Sequence, residues 1–226
     1  MRRITAIEPQ TRPGSKRLNI HLDGQYAFSL VEDLAARLRP GDYLSEGEIA
    51  ELRRQDDIHQ VYEAALNFLS YRPRSVTELR TRLERKGHDP EMVGQVLARL
   101  EEQGIIGDEQ FARFWVENRQ AHSPRGGRML RMELRYKGVD RETIEEALPD
   151  DDEEDTAALR VARAKARSLK GLEWMDFRRR LGDYLVRRGF GYETARDTTR
   201  QVWAEEHGTA DEDDELEILQ DVETPE

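Results

Sequence analysis

A repeat with a period of 51 residues constrains the fold of this chain more than any other feature. Gly87, Gly138 and Gly189 lie one period apart, and each directly follows a basic residue. Each glycine also has leucines four and eight positions before it, and these share one face of a helix. Helical repeats of roughly 34 to 47 residues are typical of stacked-repeat proteins, and this period belongs to the same physical class. The sequence therefore predicts tandem α-helical units.

The first unit shows where its helices begin and end. Ser75 and Glu78 have the spacing of a capping box, in which each side chain bonds a backbone N–H at a helix start. Gly87 stands where a left-handed C-terminal cap is expected, and Asp89-Pro90 supplies the N-cap and first residue of the next helix. The buried stripe of that next helix is predicted to contain Val93, Val96, Leu97 and Leu100.

Each unit also has a helix upstream of this pair, so three units of three helices are predicted. The upstream helices are expected over Val61 to Tyr71, Phe111 to Gln120 and Thr156 to Leu169. In the second unit Asp140 takes the place of the N-cap, while the third copy matches the pattern more loosely.

The first thirty residues are predicted to form strands, because apolar and polar side chains alternate on both sides of Asp23-Gly24. A two-residue Asp-Gly turn would place the two apolar sets on opposite faces of the hairpin. A three-residue loop that begins at Leu22 instead pairs Ile20 with Tyr26 and Leu18 with Phe28. The sequence therefore favours the longer loop. Residues 4–8 are a candidate third strand, because a lone hairpin is only marginally stable.

Short helices are predicted over Val31 to Leu38 and Gly47 to Gln55, on either side of a turn at Arg39 to Asp42. Asp150 to Asp155 are interpreted as an acidic linker. The predicted fold is mostly α, with tandem three-helix repeats forming an elongated curved stack and a small N-terminal β-hairpin module. The predicted domains are residues 1–56 (β-hairpin plus short helices), 57–106, 107–150 and 151–206 (helical repeats 1 to 3) and 207–226 (an acidic disordered tail).

Charge is unevenly distributed along the chain. The net charge is −11, yet residues 205–226 alone contain eleven acidic groups and no Lys or Arg. Residues 113–141 carry eight basic against three acidic side chains, and residues 160–188 carry ten against three. A basic body favours a polyanion or an acidic protein groove as partner, although such arginines are as often an ordinary solvated face.

Patterns of catalysis or metal binding are absent from the sequence. The five histidines are scattered without an i, i+4 pair, and there is no cysteine. Gly126-Gly127 lacks the preceding strand and the Lys-Ser/Thr of a phosphate-binding loop. No stretch approaches the roughly 18 apolar residues of a membrane span. We therefore expect a cytoplasmic protein that is not an enzyme and that takes no metal or cofactor.

The candidate binding face consists of basic residues in the first two repeats. On a helix, Arg128, Arg131 and Arg135 fall within an arc of about 60°, away from the repeat leucines. The complete predicted set is Arg74, Arg82, Lys86, Arg125, Arg128, Arg131, Arg135 and Lys137.

Several of these segments resemble the RecX family of bacterial recombinase regulators. The resemblance lies in Ala65-Leu-Asn-Phe-Leu-Ser-Tyr-Arg-Pro-Arg-Ser-Val-Thr-Glu-Leu79, in Leu100-x-x-x-Gly104-Ile-Ile-x-Asp108-x-x-Phe111-Ala112 and in Glu133-Leu134-x-x-Lys137-Gly138-Val139. It spans residues 58 to 148 and continues more weakly to residue 205.

This resemblance implies a protein that binds the RecA filament on single-stranded DNA and inhibits ATP hydrolysis and strand exchange, with roles in recombination, DNA repair and the SOS response. We expect a monomer, since a repeat stack with capped ends can be monomeric. The acidic tail is expected to compete for the basic face and so to weaken nonspecific DNA binding. Two other interpretations stay open at this point. One is a direct DNA-binding helical protein with helix-turn-helix-like units, and the other is a helical interaction scaffold that binds neither DNA nor the filament.

Overall fold

A computed structural model describes residues 1–11, 14 and 16–208. The chain divides into two compact units, of which one comprises residues 1–107 and the other begins at Asp108. The described part is mostly helical and has a small antiparallel sheet at its N-terminus, as the sequence predicted. The predicted acidic tail lies outside the described residues from position 209 onward.

The N-terminal sheet contains four antiparallel strands. They are β1 (Arg2–Pro9), β2 (Arg17–Leu22), β3 (Gln25–Val31) and β4 (Tyr43–Leu44). Their order in the sheet is β3-β2-β1-β4, so β1 lies in the interior. Strand β1 confirms the candidate third strand, whereas the two-residue strand β4 was not predicted.

The hairpin between β2 and β3 differs from the predicted register. Asp23 and Gly24 have positive φ values of 51° and 85°, so the turn has two residues. A β-bulge leaves Ala27 as an extra residue on β3, and Ile20 therefore pairs with Phe28 on the buried face. The prediction of a three-residue loop and of its residue pairs was wrong. The turn has two residues, and the extra residue in the bulge returns the apolar side chains of β3 to the buried face.

The described residues form ten helices. They are α1 (Glu32–Ala35), α2 (Glu46–Leu69), α3 (Val76–Arg85), α4 (Pro90–Glu102), α5 (Asp108–His122), α6 (Gly127–Tyr136), α7 (Arg141–Ala147), α8 (Asp151–Ala166), α9 (Trp174–Arg187) and α10 (Tyr192–His207). Three three-helix domains follow from this order: α2 to α4, α5 to α7 and α8 to α10. No helix in the described ranges is both long enough and apolar enough to span a membrane.

Helix α2 corrects two predictions. The short helix expected over Gly47 to Gln55 and the upstream helix expected from Val61 are one continuous helix, which begins at a capping box of Ser45 and Glu48. Residues 56–60 contain neither glycine nor proline, so nothing interrupts the helix there. The boundary predicted after residue 56 falls inside this helix. The helix predicted over Val31 to Leu38 is shorter than expected and occupies only α1.

The three repeat glycines end their helices in the same way. Gly87, Gly138 and Gly189 have φ values of 90°, 82° and 94°. The residue after each glycine donates its N–H to the carbonyl of Leu83, Leu134 or Leu185 over 3.2 to 3.3 Å. This is the hydrogen bonding of a Schellman cap, which needs a left-handed residue that glycine adopts without a Cβ penalty. The structure therefore confirms the predicted C-terminal caps.

Helix starts also follow the predicted caps, with one correction. The side chains of Ser75, Asp89 and Asp140 accept hydrogen bonds from the first backbone N–H groups of α3, α4 and α7. The acidic run interpreted as a linker instead opens α8, where Asp150 and Glu153 form a capping box. Acidic side chains in a first turn are stabilised by the positive end of the helix dipole, so this run starts a helix.

Each three-helix domain buries its own apolar core, and the repeat leucines form its centre. All six of them are 0% exposed: Leu79, Leu83, Leu130, Leu134, Leu181 and Leu185. At about 25 cal/mol per Å² of apolar surface removed from water, each such leucine contributes about 1.5 to 3 kcal/mol. The repeat in the sequence is thus a repeat of core positions.

The second and third domains meet where the start of α6 contacts the end of α9, a contact that we call the α6–α9 junction. The N–H of Gly126 donates to the carbonyl of Arg188 (3.1 Å), and that of Arg128 donates to the carbonyl of Gly189 (3.2 Å). A Cβ at Gly126 would lie 2.3 Å from the backbone nitrogen of Phe190, so only glycine fits. Two helix ends here satisfy each other's free backbone groups.

Candidate functional site

Three of the predicted residues gather around one aromatic ring at the end of α2. Arg74, Arg82 and Lys86 place their cationic groups 5.7, 5.1 and 5.0 Å from the ring centroid of Phe68. The negative face of an aromatic ring attracts cations at such distances. We call these four residues the Phe68 cluster. It forms because α3 returns along α2, which brings its residues 82 and 86, one turn apart, over the last turn of α2.

Within this cluster the three cations differ in their freedom. Arg74 is half-buried, and its Nε donates to the Phe68 carbonyl over 3.1 Å. Burial lowers the pKa of Arg74, and the positive charges of Arg72 and Arg82 lower it further, although a guanidinium stays charged at neutral pH. Arg82 and Lys86 are exposed, and neither side chain makes an ion pair or hydrogen bond in the described part of the chain. These two side chains are therefore available to a partner.

The predicted arginines of α6 do not form one free face. Arg128 donates to the carbonyl of Val186 over 2.7 Å and so belongs to the α6–α9 junction. Arg131 makes a two-pronged ion pair with Glu145 of α7 (2.8 and 2.9 Å). That hydrogen bond raises the pKa of Arg131 and lowers the pKa of Glu145. These two arginines hold helices together.

The other predicted residues near α6 have separate roles. Arg125, just before α6, is half-buried, and its Nε is enclosed with no hydrogen-bond partner among the described residues. Arg135 is exposed, and its side chain forms no ion pair or hydrogen bond within residues 16–208. Of the α6 arginines in the predicted set, Arg135 is thus the one that faces solvent without an internal bond.

Lys137 belongs to a second cluster of cations on an aromatic ring. Its Nζ lies 4.0 Å from the ring centroid of Trp115, and the guanidinium of Arg119 lies 4.6 Å from the same ring. Glu133 accepts from the Trp115 indole N–H (2.8 Å) and from Arg119 (2.7 Å), which fixes the ring and the guanidinium together. We call these four residues the Trp115 cluster.

Sequence reasoning missed three members of this cluster as candidate site residues: Trp115, Arg119 and Glu133. Trp115 and Arg119 are four residues apart on α5, and a Trp followed by an Arg at that spacing is the signal that could have found them. The residues of Arg178-Arg179-Arg180 were noted only as part of a basic segment. Two of them line a basic cleft in the third domain, together with Lys165, Leu169, Asp183 and Arg187.

The chemistry available on these surfaces is that of cation-mediated contact. Among residues 1–11, 14 and 16–208, no group of three His, Cys, Asp or Glu side chains is placed to hold a metal ion. Exposed cations lie over an aromatic ring in the first domain, where they can meet phosphate or carboxylate groups. In the second domain the cations over Trp115 are half-buried. Fold and surface together define a helical-repeat protein with exposed basic side chains on its domains.

Comparison with known proteins gives the family. Models described as the first, second and third three-helix domains of RecX match residues 62–100, 108–148 and 152–198, which is more than half of the chain. The regulatory protein RecX of Bacillus subtilis (strain 168) is 32% identical over 220 residues, covering 96% of this chain and 81% of that relative. The regulatory protein RecX of Bacillus licheniformis is 34% identical over 194 residues, covering 84% and 73%.

Solved structures agree with this match. A crystal structure of a regulatory protein RecX superposes with a TM-score of 0.69 at 27% identity, over 86% of this chain and 97% of that one. RecX from Lactobacillus salivarius shares the fold with a TM-score of 0.60 at 23% identity, over 66% and 97%. This chain belongs to the RecX family. Its relatives are named as regulatory proteins, and a regulatory role follows for this member.

Proposed function

We propose that this protein binds the RecA recombinase filament on single-stranded DNA and inhibits its ATP hydrolysis and strand exchange, and that it thereby modulates recombination and DNA repair in the cytoplasm. Membership of the RecX family supports this proposal, because the motifs around Gly87, Gly104 and Gly138 resemble that family of bacterial recombinase regulators. In this role the protein acts by binding and carries out no reaction of its own.

The observation that carries the proposal is a cation at the same position of every three-helix domain. Lys86, Lys137 and Arg188 each directly precede the cap glycine of their helix. Each lies over an aromatic ring, at 5.0 Å for Phe68, 4.0 Å for Trp115 and 5.4 Å for Tyr184. In the third domain this position is structural, because Arg188 donates to the carbonyl of Pro124, to Tyr184 Oη and to Ser123 Oγ. A basic position that recurs at a constant spacing suits a partner that is itself repetitive, such as a filament of identical protomers.

Repetition also explains how weak contacts can give firm binding. A single exposed cation meeting an anionic group contributes little, about 0 to 1 kcal/mol. When one contact is made, the next domain faces its own site at a high effective concentration, so the affinities of successive domains combine. Binding through several domains would also oppose the rearrangement or turnover of protomers, which would reduce ATP hydrolysis by the filament.

Charge reversal at the three free cations tests this mechanism. In the variant Arg82→Glu, Lys86→Glu, Arg135→Glu, we expect affinity for the RecA filament to fall at least about a hundredfold, because each reversal replaces attraction by repulsion at a contact site. The far-UV circular dichroism spectrum should stay that of the parent protein, since none of the three side chains makes an ion pair or hydrogen bond to another described residue. Binding is measured by fluorescence anisotropy of filaments on labelled single-stranded DNA.

A matched control keeps the same change in net charge. Arg80 and Arg85 lie on α3 and Arg113 lies on α5, and all three are exposed and outside the predicted face. Reversal of these three to Glu should weaken binding less than about fivefold, through long-range electrostatics alone. Equal losses in both variants would show that net charge matters rather than these sites, and unchanged binding in the first variant would contradict the proposal.

Direct binding to DNA is the competing outcome. If the protein binds a duplex in a sequence-specific manner without recombinase, and the filament adds nothing, then the interpretation as a helix-turn-helix-like DNA-binding protein replaces the proposal. The same anisotropy assay with duplex DNA of several sequences distinguishes the two.

A further inference from the structure

The third domain contains a basic cleft that none of the contacts above uses. It has a volume of about 420 Å³ and opens between the end of α8 and one side of α9. It is lined by Lys165 and Leu169 on the α8 side and by Arg179, Arg180, Asp183 and Arg187 on α9. Four of these six residues are basic and one is acidic, so the cleft favours an anionic occupant.

Internal pairing leaves much of this charge uncompensated. Arg179 is bonded to Asp176 (2.8 Å), and Lys165 lies 5.5 Å from the ring centroid of Tyr184. Arg180 and Arg187 are exposed, and their side chains make no ion pair or hydrogen bond to any residue that the structure describes. The two arginines are seven residues apart, two helical turns, and therefore lie on the same side of α9.

Helix α10 packs against both other helices of the domain that contains this cleft. Arg163, two residues before Lys165 on α8, makes a two-pronged ion pair with Glu205 in the last turn of α10 (2.7 and 2.9 Å). Trp203 packs against Trp174 and Phe177 at the start of α9, with ring centroids 5.4 and 5.0 Å apart. The chain therefore leaves the third domain from a helix end that is bonded to α8 and packed on α9, the two helices that also line the cleft.

The segment that follows has the opposite charge. Residues 209–226 contain nine acidic side chains and no Lys or Arg, and five of the acids are consecutive, Asp211 to Glu215. Fully extended, eighteen residues reach about 60 Å, several times the length of a cleft two helical turns long. A segment tethered to the same domain as the cleft has an effective concentration of about a millimolar, so even weak charge complementarity is enough for binding.

We propose that residues 209–226 dock in this cleft of the same chain, with their carboxylates against Lys165, Arg180 and Arg187. Docking neutralises the third domain and excludes other polyanions from it. An anionic partner that binds there must displace the segment, so the segment raises the selectivity of the protein for partners that offer more than negative charge. The contact is electrostatic, and salt should therefore release it.

A spin label on the tail measures the docking in the full-length chain. The protein has no cysteine, so Thr224→Cys gives one attachment site for a nitroxide. At about 20 mM salt, where charges act over about 20 Å, we expect the amide NMR signals of residues 165–169 and 179–187 to lose more than half of their intensity. At about 1 M salt, where the screening length is about 3 Å, the intensities should recover.

Two variants make the result specific. Arg180→Glu with Arg187→Glu should abolish the broadening, whereas Arg178→Glu with Arg200→Glu, which are exposed and do not line the cleft, should leave it. Mixing the labelled chain with an isotope-labelled chain that carries no nitroxide should give no broadening. Broadening in that mixture, no broadening at low salt, or equal effects of both double variants would each overturn the proposal. None of these readouts involves recombinase, so the result stands apart from the proposed function.

Discussion

Replacing Gly189 by alanine is expected to destabilise the second unit of the chain by about 3 to 5 kcal/mol. Two costs add. The left-handed backbone at Gly189 (φ 94°) penalises any Cβ by about 1 to 2 kcal/mol. The new Cβ would also lie 2.5 Å from the backbone nitrogen of Met129 at the α6–α9 junction, where backbone cannot move aside cheaply. The loss is measured as a shift of the urea unfolding midpoint, followed by tryptophan fluorescence.

Gly87 supplies the matched control for this experiment. It has nearly the same conformation (φ 90°) at the same position of the first repeat, but a Cβ there meets nothing within 4 Å. Gly87→Ala should therefore cost only the conformational penalty of about 1 to 2 kcal/mol. Hydrogen exchange adds a local readout, because the N–H groups of Gly126 and Arg128 should lose protection in Gly189→Ala. Equal destabilisation by both substitutions would contradict the close packing of Gly189 against α6 at the α6–α9 junction.

Removing the carboxylate of Asp56 is expected to cost about 3 to 5 kcal/mol, the range for breaking a buried ion pair. Asp56 lies on α2 and is only 3% exposed. It accepts hydrogen bonds from Arg17 (2.7 and 3.2 Å), from the N–H of Val31 (2.8 Å) and from Gln60 (2.8 Å). It thus ties β2 and the end of β3 to α2, and Asp56→Ala leaves a half-buried guanidinium and a backbone N–H without that partner.

The neighbouring Asp57 separates this effect from a general change of charge. Asp57 is on the same helix and is exposed, and its side chain has no ion pair or hydrogen bond within residues 1–208 as described. We expect Asp57→Ala to change the free energy of unfolding by less than about 0.5 kcal/mol. Thermal unfolding followed by circular dichroism compares the two variants. A loss below about 1 kcal/mol in Asp56→Ala would mean that α2 holds the sheet through apolar contacts alone.

Local patterns in the sequence were enough to predict the helical domains. The Schellman caps at Gly87, Gly138 and Gly189 and the N-caps at Ser75, Asp89 and Asp140 depend on residues within one or two turns of each other. Repetition of these signals at a constant spacing made each one more reliable. The number of domains and the positions of their core leucines followed from the same pattern.

Errors arose where distant residues decide the outcome. The bulge at Ala27 depends on how β3 packs against the helices. The alternation of apolar and polar residues in the hairpin could not show it. The burial of Asp56 depends on Arg17, which lies 39 residues away. The misreading of Asp150 to Asp155 had another cause, since acidic composition outweighed the capping signal of Asp150 and Glu153.

The candidate site shows the same limit. Composition located the basic segments, and the positions of Arg82, Lys86 and Arg135 stay a prediction as contact residues. The sequence does not show which cations already bond to other residues of the same chain. Arg131 is paired with a carboxylate fourteen residues away, and Arg128 is bonded to a carbonyl fifty-eight residues away. A free cation and a structural one therefore look alike in the sequence.

The stoichiometry of inhibition carries further information about how a filament is regulated. Inhibition far below one molecule per recombinase protomer would indicate that the protein acts at filament ends or on filament growth. Inhibition that requires nearly one molecule per protomer would indicate that it coats the length of the filament. Both outcomes are compatible with repeated cation contacts, since either surface presents identical protomers.

The most direct test is the single-stranded-DNA-dependent ATPase of the host's RecA recombinase, titrated with this protein. We expect the rate to fall as the protein is added, and to stay near its starting value with the variant Arg82→Glu, Lys86→Glu, Arg135→Glu. An unchanged ATPase rate at a molar excess of the unmodified protein would contradict the proposed function.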